Sequence, residues 1–332
     1  MVKIKAISSY LPQKVVTNAE LVIEFPEWSV EKIASKIGVE ERRIAADDET
    51  AADLAYNAAE KLFSEGKIKR EDIDFVVLCT QSPDYKLPTS ACILQNRLGL
   101  RTNIGAIDFN LGCSGYVYGL AISKGLIAGG IAKNILFLTA ETYNKYIHKR
   151  DKGNRTIFGD GATASVISTD GFAEICDFSL GTDGSGADNL IVRTGMSRQP
   201  MAAKDEHFDE NGNPISSDYL YMNGSEIFSF TQENVPIVVN DTLNKNGLVK
   251  DDIDLFVFHQ ANKYMLNFLR KKIKIEENKF YINMAKVGNT VSNSIPLALE
   301  AAMNSGVLKK GMKVLISGFG VGYSWGGCIL KF

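Results

Sequence analysis

The chain has 332 residues, of which 45% are hydrophobic, so two core-forming halves or one large α/β body are expected. A net charge of −2, with Lys and Arg dispersed, leaves no electrostatic footprint for nucleic acid or an anionic membrane surface. No apolar run reaches transmembrane length, and five cysteines without paired or metal-type spacing read as free thiols in a cytoplasmic chain.

In chain order, Met1–Tyr10 alternates apolar and polar residues like a strand and lacks a signal peptide's apolar core. Ala51–Glu65 reads as a helix. Lys69–Asp74 is a polar turn that feeds the buried strand Phe75–Thr80. Ile104–Phe109 reads as a strand and Gly115–Gly129 as a helix, with Cys113 in the turn between them. Ala132–Leu138 leads into another strand. Ser225–Asn244 is a helix, Val249–Phe258 a second polar turn and strand, Asn293–Ser305 a helix, and Gly311–Ser317 a strand.

These elements repeat. Lys69–Leu78 is echoed by Val249–Phe258, and Ala132–Leu138 by Gly311–Ser317, at spacings that agree within one residue. Phe158–Ala164 is echoed by Phe319–Trp325 at a shorter spacing, so the first half carries roughly 18 extra residues between about 142 and 158. Alternating helices and buried strands in two halves, 1–172 and 173–332, predict a duplicated, five-layered α/β/α/β/α sandwich.

Chemistry collects where strands end. Cys113, flanked by Gly112 and Gly115, sits at a helix amino terminus, where unsatisfied N–H groups favour a thiolate. The alternative is a small core residue, which also suits Cys79, Cys92, Cys176 and Cys328. His259 follows the apolar strand Leu255–Phe258 and opens the polar run Gln260-Ala261-Asn262. It is either a site residue or a hydrogen-bonded structural histidine. Asn289, in Val287-Gly288-Asn289-Thr290, precedes the helix that matches the one after Cys113, and reads equally as a site residue or a turn or cap residue. His148 and His207 lie in charged, loop-like surroundings.

Asn110-Leu111-Gly112-Cys113-Ser114-Gly115, His259-Gln260-Ala261-Asn262, Gly288-Asn289-Thr290 and Gly318–Gly326 closely resemble, in order, the motifs of ketoacyl-acyl-carrier-protein synthase III. The resemblance runs from Tyr10-Leu11-Pro12 through Gly38-Val39-Glu40-Glu41-Arg42 to the carboxyl terminus. It implies the thiolase fold, and a two-step reaction in which Cys113 takes an acyl group from acyl-CoA or an acyl carrier protein. Decarboxylative condensation with a malonyl thioester follows. It further implies oxyanion donors from the N–H groups of Cys113 and Val321, and enolate donors from His259 and Asn289. No metal or prosthetic group is implied; the CoA thioester is a substrate. Acyl carrier protein and a second copy of the chain are the implied partners.

The same resemblance assigns CoA contacts to Trp28, Lys32, Lys152 and Asn262, with both lysines standing where the family has arginines. It assigns the acyl pocket to Leu87, Gly224 and Phe228, Leu87 replacing an aromatic residue that crosses the dimer interface in Tyr85–Pro88. Carrier docking falls to Arg270, Lys271 and Lys272, with Tyr264 at the family's arginine position. Val321 replaces a glycine of the oxyanion loop. These departures suggest a specialised paralogue whose primer is longer or more branched than acetyl. A hydroxymethylglutaryl-CoA synthase would need a carboxylate where Gln81 stands, and a thiolase a second cysteine near Gly320-Val321-Gly322. An acyltransferase serving a non-malonyl acceptor, or a degenerate binding protein, are the remaining alternatives.

Overall fold

Short apolar runs without alternation need cover on both faces, and Ile135–Glu141 and Leu255–Phe258 are buried at every residue. The computed structural model, which describes residues 1–210 and 212–332, sets them in one mixed sheet. The first half contains β1 (Lys3–Tyr10), β2 (Lys14–Thr17), α1 (Asn18–Glu24), α2 (Val30–Lys36), β3 (Glu41–Ile44), α3 (Ala51–Ser64) and β4 (Phe75–Cys79). It continues with α4 (Ser90–Arg97), β5 (Gly105–Phe109), α5 (Gly115–Ala128), β6 (Ile135–Glu141), α6 (Lys152–Arg155) and β7 (Gly161–Ser168). Then come β8 (Ala173–Thr182), the short pieces β9 (Leu190–Ile191), β10 (His207–Phe208), β11 (Pro214–Ile215) and β12 (Tyr221–Met222), and α7 (Gly224–Lys245). The chain ends with β13 (Leu255–Phe258), α8 (Lys263–Ile273), α9 (Ser294–Asn304), β14 (Lys313–Gly320) and β15 (Ser324–Lys331). All four helices expected above lie within one residue of their predicted ends.

The sheet order is β13-β14-β15-β8-β1-β7-β6-β4-β5. Its middle is the antiparallel contact of β1 with β8, Ile4 opposite Ala173. From there the wings mirror each other. β1, β7, β6 and β4 follow on one side, and β8, β15, β14 and β13 on the other, with the same parallel and antiparallel pairings. β5 extends the first wing, whereas the second has only a single bridge, Phe256 to Phe280, beyond β13.

Three buried clusters correspond to three helical layers. Tyr116, Val117 and Leu120 of α5 pack with Ile295, Ala298 and Leu299 of α9 and with Phe137, Val257 and Ile316 from both wings. Leu54 and Leu62 of α3 and Leu94 of α4 cover Val76, Leu138 and Val166. Val235 and Val239 of α7 and Leu266 of α8 cover Phe256, Leu315 and Ile329. This is the five-layered arrangement that the repeats predict.

The extra residues of the first half lie where expected, between Glu141 and Gly161, against only Val321–Tyr323 in the equivalent connection. They support the long excursion between β8 and α7: Leu220 donates its N–H to the Tyr146 carbonyl at 2.8 Å. His148 is buried there, with Nε2 3.3 Å from Glu206 and its ring edge-on to Tyr219, so its loop-like sequence surroundings misstate its environment. Cys92 departs from its expected core role as well. It is exposed on α4, 2.9 Å from the Thr89 hydroxyl.

Candidate active site

Strand β5 stops at Phe109 and α5 starts at Gly115; the intervening turn is closed by Gly115 N–H donating to the Gly112 carbonyl at 2.8 Å. Cys113 is thereby pressed against the end of β14. A Cβ on Gly318 would lie 2.7 Å from the Cys113 carbonyl oxygen, and one on Gly320 would lie 3.0 Å from the sulfur, so β14 can approach only with glycine at both positions. The thiol is not the ready thiolate that its helix position suggests. Burial first, then the nearby Glu141 charge, push it up to about 12, while hydrogen bonds from the N–H groups of Cys113 and Val321 to the sulfur oppose the shift. Valine at position 321, in the loop expected to supply an oxyanion donor, is accommodated because the left-handed turn falls on Gly322 (φ 70) and Tyr323 (φ 46), not on Val321.

His259 leaves the end of β13 with its N–H bonded to the Ser317 carbonyl at 2.8 Å. Its ring is buried, Nδ1 lies 2.7 Å from the Ser294 hydroxyl, and burial pulls its pKa down to about 3, so the imidazole is neutral. Ser294 also accepts the Gln260 N–H at 3.3 Å; with its own proton directed at Nδ1, the ring proton would lie on Nε2. Asn289 is held on both sides, its N–H donating to the Ile157 carbonyl and its carbonyl accepting from Gly159 N–H, each at 2.9 Å. Its side-chain oxygen accepts the Val291 N–H at 2.9 Å, which turns Nδ2 towards His259 Nε2, 3.5 Å away. Asn289 Nδ2 and His259 Nε2 thus lie side by side on the cavity wall. Asn289 is not a helix cap; Asn293 takes that place and ties the loop to β6 and β7 through Thr139 and the Gly161 carbonyl.

Two cavities meet here. The smaller, about 180 Å³, is lined by Cys113, His259, Asn289, Asn262, Gly224, Ile227 and Thr231 among others. The larger, about 470 Å³, runs past Gln81, Asn110, Tyr143, Tyr146 and Val321, and Leu190 lines both. Phe228, expected in the acyl pocket, faces α8 instead, its ring 5.0 Å from Phe268 and 5.8 Å from Tyr264; Ile227 and Thr231, one turn apart, hold the cavity side. Leu87 is 81% exposed and lies outside both cavities of this chain, although Tyr85 and Lys86 line the larger one.

Trp28, Lys32 and Lys152 come together at the surface, with Lys32 Nζ 4.8 Å from the Trp28 ring and Lys152 Nζ 2.9 Å from Glu27. Asn262 caps α8, its side-chain oxygen accepting from Met265 N–H. Arg270 is drawn inward to the Ile275 carbonyl and Glu277, both at 3.4 Å, whereas Lys271 and Lys272 on the same helix are exposed. Arg270 thus offers little free charge to a docking partner.

One residue escaped the sequence reading. Glu141, at the end of β6, is buried; it accepts from Ser292 Oγ at 2.8 Å, Gln81 N–H at 3.1 Å and Ser82 Oγ at 3.3 Å, and burial pushes its carboxyl up to about 8. A charged residue ending a strand whose other residues, Thr139 apart, are apolar was the available signal. Among the described residues no cluster of His, Cys, Asp and Glu could hold a metal ion.

The model of the family described as 3-oxoacyl-[acyl-carrier-protein (ACP)] synthase III matches residues 107–184, and its C-terminal counterpart matches 243–332. A beta-ketoacyl-[acyl-carrier-protein] synthase III of Caldanaerobacter subterraneus subsp. tengcongensis is 36% identical over 98% of this chain and 96% of its own length. One from Clostridium perfringens is 37% identical over 97% and 96%. A crystal structure of a 3-oxoacyl-(acyl-carrier-protein) synthase III, 51% identical, superposes with a TM-score of 0.97 and covers 100% of this chain and 99% of that one.

Proposed function

The chain belongs to the beta-ketoacyl-acyl-carrier-protein synthase III family of acyl-transferring condensing enzymes with the thiolase fold, and on that premise we propose that it works in two half-reactions through Cys113. In the first, the Cys113 sulfur attacks the carbonyl carbon of an acyl thioester, the donor's C–S bond breaks, and the thiol proton leaves with the departing thiol. The N–H groups of Cys113 and Val321 receive the carbonyl oxygen as it becomes negative. In the second, a malonyl thioester loses carbon dioxide and its enolate oxygen lies between His259 Nε2–H and Asn289 Nδ2–H. The enolate carbon then attacks the acyl group, the bond to Cys113 breaks, and a 3-oxoacyl thioester departs.

The observation that carries this reading is the pair Asn289 Nδ2 and His259 Nε2, 3.5 Å apart, in the same cavity as Cys113. Residues 1–172 supply the nucleophile and residues 173–332 the enolate donors. A neutral imidazole suits the second step, since it donates from Nε2 without taking up a proton of its own. The acyl chain takes the larger cavity and the malonyl group the smaller, which puts Gly224, expected in the acyl pocket, on the malonyl side.

Acyl-CoA enters beside Trp28, Lys32 and Lys152, and a carrier protein docks on Lys271 and Lys272. Lysines in place of arginines keep charge for phosphate but cannot stack on adenine, so CoA is held less tightly than arginines would hold it. The working form is a homodimer. Its support is the free edge strand β5, with Ile107 exposed, and the exposed Leu87, which lies outside this chain's cavities and would close the larger cavity of the partner. No helix among the described residues is long and apolar enough to cross a membrane.

The test is labelled acyl-CoA offered without malonyl substrate. One equivalent of label should appear on Cys113 and none on Cys113→Ala. A stable adduct on another cysteine of that variant would refute the assignment.

A further inference from the structure

The larger cavity contains a polar relay that condensation does not use. Tyr143 Oη donates to Gln81 Oε1 at 2.7 Å, and Gln81 Nε2 donates to Asn110 Oδ1 at 2.9 Å. The relay has a direction: the phenol proton and the Asn110 carbonyl oxygen are both engaged, which leaves Asn110 Nδ2 as a donor at one end and the Tyr143 oxygen as an acceptor at the other. All three residues line the cavity of about 470 Å³.

The relay lies beside the nucleophile. A Cβ built on Gly112 would stand 2.5 Å from Gln81 Oε1 and 2.8 Å from Val321 Cγ1, and Gly112 adjoins Cys113. It is also held in place. The Gln81 N–H donates to Glu141 Oε2 at 3.1 Å, the Gln81 carbonyl accepts from Tyr146 Oη at 3.0 Å, and the Tyr143 side chain is buried. A purely alkyl chain on Cys113 would return no hydrogen bond to the buried Tyr143 oxygen, which a site disfavours, whereas Asn110 at the exposed end keeps its access to water. A carbonyl substituent could satisfy only the donor end. A hydroxyl can serve either end, accepting from Asn110 or donating to Tyr143.

We propose that the acyl donor is a hydroxyacyl thioester with its hydroxyl on the second or third carbon, close to the thioester. This rests on the two-step reading above and names the substrate class for its first step. Carbons beyond the hydroxyl extend past Leu190, Val192 and Leu220 in the same cavity.

The experiment measures acylation of Cys113 by intact mass, as second-order rates, with butanoyl-CoA, 2-hydroxybutanoyl-CoA, both enantiomers of 3-hydroxybutanoyl-CoA, and octanoyl-CoA. At least one hydroxybutanoyl donor should outpace butanoyl-CoA by about tenfold or more. Gln81→Leu, close in size, should bring that ratio near one. Tyr143→Phe, which removes the acceptor end and little volume, should do the same and serves where Gln81→Leu fails to fold. A wild-type ratio of one or below, or a ratio that both variants leave unchanged, overturns the hydroxyacyl assignment while leaving the condensing mechanism standing. Failure of every thioester to label Cys113 overturns the broader reading and this one with it.

Discussion

Replacing Ser294 by alanine tests how the enolate donors are set. The Ser294 oxygen lies 2.7 Å from His259 Nδ1 and accepts the Gln260 N–H; in the proposed mechanism its proton goes to Nδ1 and Nε2 is the donor. In Ser294→Ala the buried Nδ1 has lost its donor, at a cost of about 1–3 kcal/mol if it stays an acceptor. The ring proton can instead move to Nδ1. Nε2 then becomes an acceptor facing Asn289 Nδ2 at 3.5 Å, and the two side chains bond to each other instead of to the enolate. Loss of one preorganised donor typically lowers the rate about 10²–10³-fold. Carbon dioxide release from labelled malonyl thioester, measured on enzyme already acylated at Cys113, should fall by that factor, whereas acylation itself should change little. Ser294→Thr keeps the hydroxyl and should recover most of the rate. Carbon dioxide release at the wild-type rate from folded Ser294→Ala would show that the serine does not set the tautomer.

Glu141 raises the Cys113 pKa through its charge, so Glu141→Gln should move the alkylation of Cys113 by iodoacetamide to lower pH, and an unmoved profile would remove Glu141 from the nucleophile's surroundings. The folded state holds His259 at about 3 against an ordinary 6.5, so it binds fewer protons than the unfolded chain there; the stability tied to neutral His259 is complete above about pH 6.5 and is lost as the pH falls towards 3. At about 1.4 kcal/mol per pH unit this approaches roughly 5 kcal/mol, and His259→Gln should flatten the urea midpoint across that window. Light scattering at working concentration should give a dimer. In that dimer Leu87→Phe should shift the preferred acyl chain towards acetyl without altering carbon dioxide release, and an unchanged chain-length profile would take Leu87 out of the pocket.

Much of the fold was legible because its signals are local. Polar turns feeding fully apolar strands occur at Lys69–Leu78 and again at Val249–Phe258, and the structure gives both a short 3-10 turn followed by a parallel strand. His259 was legible as a polar break at the end of such a run, whereas Asn289 read equally as a turn or cap residue and stood out only through the family resemblance. Glu141 was not, because Ser82 and Ser292, which make sense of it, lie 59 and 151 positions away. Phe228 and Arg270 failed for a different reason. Each is one position from residues that do face the expected direction, and on a helix one position turns a side chain by about 100°. The thiolate expected at Cys113 drew on the helix dipole alone; burial, which only the packed structure reveals, dominates it.

The duplication also explains why two similar halves make one site. Strands β6 and β14 hold equivalent places in the two wings and end at Glu141 and Gly320. In the second wing that place must be bare, since any Cβ on Gly320 would meet the Cys113 sulfur. In the first wing it carries a carboxylate that takes three hydrogen bonds and whose charge is felt at the same sulfur. The helices pair likewise: Cys113 precedes α5, while Asn289 and Ser294 precede and open α9, and both helices start in the layer between the wings. In the proposed mechanism the nucleophile and one enolate donor, Asn289, therefore occupy corresponding turns before α5 and α9, while the second donor, His259, comes from the end of β13. A chain carrying two copies of either turn would have two nucleophiles or two donor sets, but no pair able to condense.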